Sequence, residues 1–301
     1  MSGLRNRGIR PALLVGCLFL LALVVAGCSS SKQGFQFDPN IFLQDLNPTS
    51  PGVLGVLYVT IVVSVVAQVL GVVLGVLAAL GKMSRIVPLR VVANLYIWFF
   101  RGTPLLVQLA FFFFGFGAAH VWDWSDITVF GFFIPGAVQA AMVILGFNEG
   151  AYMAEIIRAG IMAVDPGQTE AAKSLGMTYR LTMTRIVLPQ AARVIIPPLG
   201  NEFNNMLKTT SLISMLGVVE TYEHYVIIQG LNYRPFEAYA ACALWFLLMT
   251  TIWGFIQARI ELRFARGTAT GSSAAPGVGW HTRLLGGRSK PGAEMGVLGG
   301  H

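Results

Sequence analysis

The sequence predicts an all-α polytopic membrane protein, and two features of its composition carry that prediction. Apolar residues make up 55% of the 301 positions and charged residues only 12%, whereas soluble globular domains carry about 25% charged residues. Several apolar runs reach roughly 20 residues, the length that a helix needs to cross the hydrocarbon core. We therefore expect five core transmembrane helices, beginning outside and ending inside the cell, after an amino-terminal signal or anchor helix.

Charge and cysteine usage exclude two other classes. The net charge of +7 does not indicate a nucleic-acid-binding protein, because the basic residues cluster beside the apolar runs. That placement follows the positive-inside rule of membrane proteins. The three cysteines show no CxxC spacing, so we expect neither a disulfide framework nor a metal site.

Residues 1–28 have the pattern of a secretory signal, with a basic start and an apolar stretch of the usual length. The segment ends in VAGC, which resembles the lipobox of bacterial lipoproteins, in which the cysteine, here Cys28, is lipidated. An uncleaved anchor helix is the alternative. Both place residues 29–52, which contain prolines, outside the cytoplasm as an extended or loosely ordered lead-in.

The first core span is predicted at residues 53–80, and a basic loop after it is expected in the cytoplasm. Gly71 and Gly75 within it have the spacing at which small residues let two membrane helices approach closely. Glycines that simply face lipid are the alternative.

The second span is predicted at residues 91–118. Pro104 removes a helical hydrogen bond and Gly102 loosens the turn, so we expect a kink there. Arg101 lies near the start of the apolar run. We expect its side chain to reach the cytoplasmic headgroups, in preference to a substrate contact.

The third span is predicted at residues 129–154, after an external loop at 120–128 that contains no lysine or arginine. Glu149 lies deep in this span. It is either a buried, paired structural carboxylate or a residue of a translocation path. Glu155 and Arg158 are three residues apart and can pair on one helix face.

The stretch 165–193 is a polar island between apolar runs, and its basic excess predicts a cytoplasmic location. Asp165 can cap a first helix that has proline at its first position. Gly176 stands where a left-handed residue would end that helix. Thr178 can cap a second short helix, which meets Pro189.

The fourth span, residues 194–219, is unusually polar. Two prolines and a glycine near its start are expected to break or bend the helix. Interrupted membrane helices often line substrate cavities, although interhelical hydrogen bonding is the alternative use of such polar groups. With Glu149, the candidate residues of a substrate path are Asn201, Glu202, Asn205, Lys208, Thr210 and Ser211.

The fifth span is predicted at residues 238–258, after an acidic external loop at 220–237. Arginines follow it and hold its end inside the cell. The membrane domain thus covers residues 53–266. Residues 267–301 are rich in Gly, Ser, Ala and Pro, which predicts a disordered cytoplasmic tail.

Several of these stretches resemble a single protein family. They are RGTPLLVQ at 101–108, NEGAYMAEIIR at 148–158, GQTEAAKSLGM at 167–177 and IVLP at 186–189. The combination resembles the permease subunits of bacterial ABC importers for polar amino acids, the histidine/glutamine permease-like family. Thr209 stands at a position where that family often carries Asp.

The resemblance implies a multi-pass subunit of the bacterial cytoplasmic membrane that contacts membrane lipid. Its expected partners are a second permease subunit, identical or related, cytoplasmic ABC ATPase subunits and an extracytoplasmic amino acid-binding protein. ATP would bind the ATPase, so no cofactor and no catalytic residue is expected in this chain. The residues expected to couple it to the ATPase are Glu170, Ala171, Ala172, Gly176, Leu188 and Pro189.

Two other functions remain to be compared with this one. A secondary amino acid transporter or channel without an ATPase partner is the alternative, since Glu149 and Lys208 within the spans would suit ion coupling. The polar docking stretch argues against it. An intramembrane enzyme is improbable because the sequence contains no HExxH or GxSxG pattern.

Overall fold

The computed structural model describes residues 37–129 and 131–265. The predicted signal or anchor segment 1–28 with Cys28, the start of the lead-in and the tail 267–301 lie outside these ranges. The described part is mostly helical. In chain order its α-helices are α1 (Pro39–Leu46), α2 (Val53–Met83), α3 (Val87–Gly102), α4 (Leu105–Ala110), α5 (Phe116–Ala118), α6 (Gly136–Met162), α7 (Pro166–Ser174), α8 (Tyr179–Thr182), α9 (Leu188–Thr209), α10 (Thr221–Asn232) and α11 (Pro235–Ala265).

Shorter elements join some of these helices. π-Helical turns at Phe111–Gly115 and Met183–Val187 connect α4 to α5 and α8 to α9, and a 3₁₀ segment, Thr210–Leu216, follows α9. Two strands, β1 (Ile127–Val129) and β2 (Phe132–Ile134), pair antiparallel.

Within the described ranges, α2, α6 and α11 are each long and apolar enough to cross a membrane. α3 together with Leu105–Ala118 makes a fourth crossing if this bent pair is a single span. These helices indicate a multi-pass membrane protein. The five-span topology is not confirmed, because α9, which contains most of the predicted fourth span, is too polar to belong to this set.

The helices α2 and α6 make an extensive contact. Gly71 and Gly75 are both buried in it. A Cβ added at Gly71 would lie 2.6 Å from Cγ of Glu149, and one at Gly75 would overlap Met153. Close approach of two helices therefore accounts for this glycine pair, and the lipid-facing alternative is wrong.

The faces of α2, α3 and α11 that do not pack against other helices are apolar. Val69 on α2 is 59% exposed, Val92 on α3 is 66% exposed and Leu247 on α11 is 60% exposed. Large continuous apolar surfaces of this kind are rare on soluble monomers. They are the surfaces that a bilayer would cover.

The region before α6 differs from the prediction of a loop followed at once by the third span. Residues 127–134 form a hairpin in which Val129 pairs with Phe132, and α6 begins only at Gly136. β-Branched and aromatic residues favour strands, and Gly131 adopts φ +83, which only glycine accommodates without strain. The short hairpin therefore overrides the apolar pattern that predicted helix.

The lead-in also contains more structure than predicted. Residues 39–46 form α1, which is capped by the side chain of Asp38, so the prediction of an extended segment is wrong there. The hydroxyl of Tyr225 on α10 donates to the carbonyl of Asp45 at 2.7 Å. The amide of Asp38 donates to Glu237 on α11 at 3.0 Å. Contacts across the chain therefore hold α1 in place.

Of the predicted break or bend near the start of the fourth span, the break is absent, and the bend stays a prediction. α8, the π-turn and α9 follow one another without interruption, and Pro197 and Pro198 lie inside α9. The neighbouring α11 supports this region, because the indole of Trp253 donates to the Gly200 carbonyl at 2.7 Å and Gln257 donates to the Pro197 carbonyl at 3.3 Å. Tertiary hydrogen bonds thus compensate for the poor helix propensity of proline.

The packing of α2 on α6 predicts unequal effects for two alanine substitutions. Gly71→Ala is expected to destabilise the protein by about 1–3 kcal/mol, because the added methyl group overpacks the contact with Glu149. Gly55→Ala on the same helix meets no atom within 4 Å and should be neutral or stabilising, since alanine favours helix by about 1 kcal/mol. Thermal unfolding in detergent measures both, and equal midpoints would contradict the packing argument.

Candidate functional site

A polar cavity of about 220 Å³ lies between α4, α6 and α9. Its lining includes two carboxyl groups, those of Glu149 and Glu202, and no lysine or arginine. The carboxyl groups are close enough to interact unfavourably with each other. A cation in this cavity would relieve that repulsion. The full lining is Leu105, Leu145, Asn148, Glu149, Tyr152, Glu202, Asn205, Met206 and Thr209.

Helical spacing places these side chains together. Glu202, Asn205 and Thr209 stand at positions i, i+3 and i+7 of α9 and so share one face. On α6, Glu149 is only 6% exposed, and one of its oxygens accepts a hydrogen bond from the Gln68 amide at 3.1 Å. The Glu149 carboxyl group is therefore a buried, hydrogen-bonded group that also lines the cavity. Its role in a translocation path stays a prediction.

The structure separates the other predicted path residues from this cavity. Asn201 is exposed, and Thr210 is buried with its hydroxyl donating to the Leu207 carbonyl at 2.7 Å. Lys208 and Ser211 line a different cavity. Of the predicted set, only Glu149, Glu202 and Asn205 come together.

Sequence reasoning missed three polar lining residues: Asn148, Tyr152 and Thr209. Asn148 and Tyr152 flank Glu149 at one and three residues along α6. Thr209 lies seven residues after Glu202. A search of the helical faces around each acidic residue would have found them.

The segment after Arg101 is a sharp break, stronger than the predicted kink. α3 ends at Gly102, Pro104 precedes α4, and the two helical arms are bent by 106°. Arg101 lies over the ring of Tyr152, with 5.3 Å between its guanidinium carbon and the ring centroid. The predicted position of Arg101 at the headgroups overlooked this cation–π contact with a cavity residue.

The buried amide of Gln108 closes the break. Its nitrogen donates to the carbonyls of Phe100 at 2.9 Å and Thr103 at 3.0 Å. Asn148 on α6 donates to the Phe100 carbonyl at 3.1 Å and to the Gln108 side-chain oxygen at 3.0 Å. These bonds satisfy carbonyl groups that the end of α3 leaves without helical partners. They also fix the position of α4 against α6, where the cavity lies.

The candidate coupling segment, residues 165–178, has the predicted local structure. The Asp165 side chain accepts from the Gly167 amide at 2.8 Å and caps α7. Gly176 has φ +75 in the left-handed region, and the hydroxyl of Thr178 accepts from the Leu181 amide at 3.4 Å. The second helix does not end at Pro189 as predicted, because the chain continues into α9.

Two large apolar side chains are exposed around the turn that follows α7. Leu175 is 82% exposed and Tyr179 is 74% exposed. Of the six expected coupling residues, Ala172 is buried. The other five are exposed: Glu170, Ala171, Gly176, Leu188 and Pro189. Adjacent exposed apolar side chains mark surfaces that bind partners.

An ion-pair cluster ties the helix ends beside this segment. Glu155 on α6 accepts from Arg158 at 2.9 Å, the predicted pair, and also from Lys82 at the end of α2. The Lys82 contact was missed, since sequence spacing carries no signal for it.

Residues 71–266 match the family described as binding-protein-dependent transport system inner membrane component. The chain belongs to this family. The matched region contains the acidic cavity, the break after Arg101 and the candidate coupling segment. Membership makes the chain a membrane component of a transport system.

Two curated relatives illustrate the family. The arginine transport system permease protein ArgU of Corynebacterium glutamicum is 40% identical over 199 residues, which are 63% of this chain and 61% of ArgU. The L-cystine transport system permease protein TcyB of Bacillus subtilis is 37% identical over 217 residues, 72% of this chain and 88% of TcyB. The match to ArgU thus spans less than two thirds of that protein.

Two solved structures resemble this inner membrane component. One, described as an amino acid ABC transporter with histidines, is 39% identical, with a TM-score of 0.67 over 76% of this chain and all of the other. An inward-facing MetNI methionine ABC transporter is 15% identical, with a TM-score of 0.57 over 72% of this chain and 98% of the other. At that low identity the second shows the fold alone.

The hydrogen bonds at the break predict that Gln108→Leu destabilises the protein. The substitution leaves the Thr103 carbonyl without its donor, at a cost of about 1–3 kcal/mol, while Asn148 still donates to the Phe100 carbonyl. Gln44→Leu on the exposed face of α1 is the matched control and should leave the unfolding midpoint unchanged. A stable Gln108→Leu variant would show that other groups satisfy the break.

Proposed function

We propose that the chain is the membrane-spanning subunit of an ATP-driven importer for polar or charged amino acids in the bacterial cytoplasmic membrane. In this proposal five spans cross the membrane, with the amino-terminal end outside and the carboxyl-terminal end inside, and α9 is the polar fourth span. Either a lipidated Cys28 or an uncleaved anchor helix is compatible with this orientation.

One observation supports the proposal more than any other. The candidate coupling segment lies between the two helices that contribute both acidic residues of the cavity: α6 precedes it with Glu149, and α9 follows it with Glu202. A force applied to the segment would therefore reach the cavity from both sides. That arrangement suits a transporter driven by a partner protein.

The proposed partners follow from this arrangement and from the family. Cytoplasmic ATPase subunits bind ATP and dock on α7 and the exposed Leu175 and Tyr179. An extracytoplasmic amino acid-binding protein delivers cargo, and a second permease subunit completes the pore. Small side chains at Ala171 and Ala172 let α7 seat closely, and Gly176 makes the turn that follows it.

The acidic cavity favours cargo with a cationic group. Its lining offers carboxyl groups at Glu149 and Glu202 and amide groups at Asn148 and Asn205, which together suit an ammonium, guanidinium or imidazolium group. The names of ArgU, an arginine permease, and of the transporter solved with histidines support the same cargo class.

Charge placed on the docking surface is expected to separate the chain from its ATPase. In Leu175→Glu, a carboxylate would have to be desolvated at the interface, so ATPase copurification and ATP-driven uptake should both fall. Leu231 on α10 is 74% exposed and, in the proposed topology, external. Leu231→Glu is therefore the matched control.

The same measurements separate the alternative function. Unchanged ATPase binding in Leu175→Glu would remove this role from the segment. Amino acid uptake driven by an ion gradient, by the purified chain without any ATPase, would replace the importer by a secondary transporter.

The cavity predicts a cargo-dependent effect of Glu202→Gln. Loss of one charged hydrogen-bond partner costs about 1.5–3 kcal/mol, so the KM for arginine or histidine uptake should rise roughly 10- to 100-fold. Glu261→Gln, the same change on α11 away from the cavity, should leave KM unchanged. A panel of amino acids in reconstituted vesicles measures both. Equal loss for neutral amino acids would contradict the electrostatic role.

A further inference from the structure

A second cavity, of about 320 Å³, lies where the end of α9 meets α10 and α11. Its polar lining consists of the ammonium group of Lys208 and the hydroxyl groups of Ser211, Tyr222 and Tyr239. The Ser211 hydroxyl already donates to the Lys208 carbonyl at 2.8 Å, so the donors left for a ligand are those of Lys208, Tyr222 and Tyr239. No aspartate or glutamate is part of the lining. A set of donors with a single positive charge is complementary to an anion.

Lys208 has no counter-ion within residues 37–129 and 131–265. None of the ion pairs or side-chain hydrogen bonds of these residues includes its ammonium group. An ammonium group within a membrane span is costly unless it is paired or hydrated. An anion from outside the described residues would therefore stabilise the ammonium group of Lys208.

Glu220 and Glu223 lie on either side of Tyr222 in the chain, and neither is part of the cavity lining. Glu220 is fully buried, and its carboxyl oxygens accept from the amides of Tyr222 at 2.9 Å and Glu223 at 3.0 Å as the cap of α10. Burial raises the pKa of the Glu220 carboxyl group to about 7, so at neutral pH it is only partly ionised. Its bonding capacity is used within α10.

The cavity opens at the surface of the described residues, next to the face of α11 that carries Leu247. Lys208 is exposed, and Tyr222 and Tyr239 are 37% and 39% exposed, with their rings stacked at 6.2 Å between centroids. Ala243 on α11 lies at its rim and is exposed. Access to the donor groups thus requires no rearrangement of the helices.

We propose that Lys208, with Tyr222 and Tyr239, binds the carboxylate group of the transported amino acid. This inference rests on the proposed function, because every amino acid carries a carboxylate and the acidic cavity repels one. Lys208 follows Asn205 by three residues on α9, so the two cavities occupy neighbouring faces of one helix. One helix would then present a site for each charge of a zwitterionic cargo.

A membrane phosphodiester has the same chemistry, a singly charged oxyanion, and the test must separate the two sources. The probe is a cysteine at the rim, Ala243→Cys in a Cys242→Ser background, in the complete importer with its ATPase, in lipid nanodiscs. N-Ethylmaleimide labelling is followed by mass spectrometry of the peptide that contains residue 243. Cys17 and Cys28 then do not contribute to the signal.

L-Arginine and agmatine are the ligand pair, since agmatine is arginine without its carboxylate group. Arginine at about ten times its dissociation constant should slow labelling roughly tenfold, and agmatine should have no effect. Lys208→Met should abolish the protection and Lys208→Arg should retain it. Protection by agmatine equal to that by arginine, or full protection in Lys208→Met, would overturn the proposal.

Two further outcomes also overturn it. Labelling that is absent without cargo would show that another chain covers the cavity. Labelling slowed by phosphatidylglycerol, relative to phosphatidylcholine alone, in a Lys208-dependent manner and with no added effect of arginine would assign the site to lipid phosphate.

ATP-driven arginine uptake by the same preparation shows which proposal fails, the carboxylate site or the importer function. If wild-type protein imports arginine while labelling shows no dependence on the carboxylate, only the second site is wrong. If no amino acid is imported, the proposed function itself fails.

Discussion

The close approach of α2 and α6 is the constraint on which the rest of the structure depends. Without side chains at Gly71 and Gly75, the two backbones come near enough for the Gln68 amide to reach Glu149. The same contact places Asn148 where it donates to the Phe100 carbonyl at the break after α3, and it places Glu155 where it pairs with Lys82. Packing of small residues thus positions the acidic cavity, the bent second segment and the ion-pair cluster together, in a medium where no hydrophobic force between helices would do so.

The local features of the candidate coupling segment could be predicted because they depend on nearby residues. The cap at Asp165, the left-handed Gly176 and the cap at Thr178 each follow from the chemistry of a few neighbouring positions. The apolar runs likewise predicted α2, α6 and α11 as membrane helices. The start of α6 and the continuation of α9 through its prolines did not follow from the hydrophobic pattern. A hairpin determines the first, and tertiary hydrogen bonds support the second.

In the candidate site, too, single residues could be predicted from sequence, whereas their arrangement in space could not. Glu149 and Glu202 could be selected from sequence because acidic residues in apolar runs are costly unless they have a function or a partner. That both face one cavity depends on how α6 and α9 cross, which no spacing within either helix encodes. The role of Gln108 was hidden for the same reason, since its partners at Phe100 and Thr103 matter only once α3 ends and α4 turns away.

The chain is continuously helical from Tyr179 to Thr209, so this stretch can act as a lever. At 1.5 Å per residue it is about 45 Å long, with the exposed Tyr179 at one end and Thr209 of the acidic cavity at the other. The π-turn at Met183–Val187 is its one departure from regular helix. A displacement of a few ångströms at Tyr179 would therefore move Thr209 at the other end, with bending concentrated at that turn.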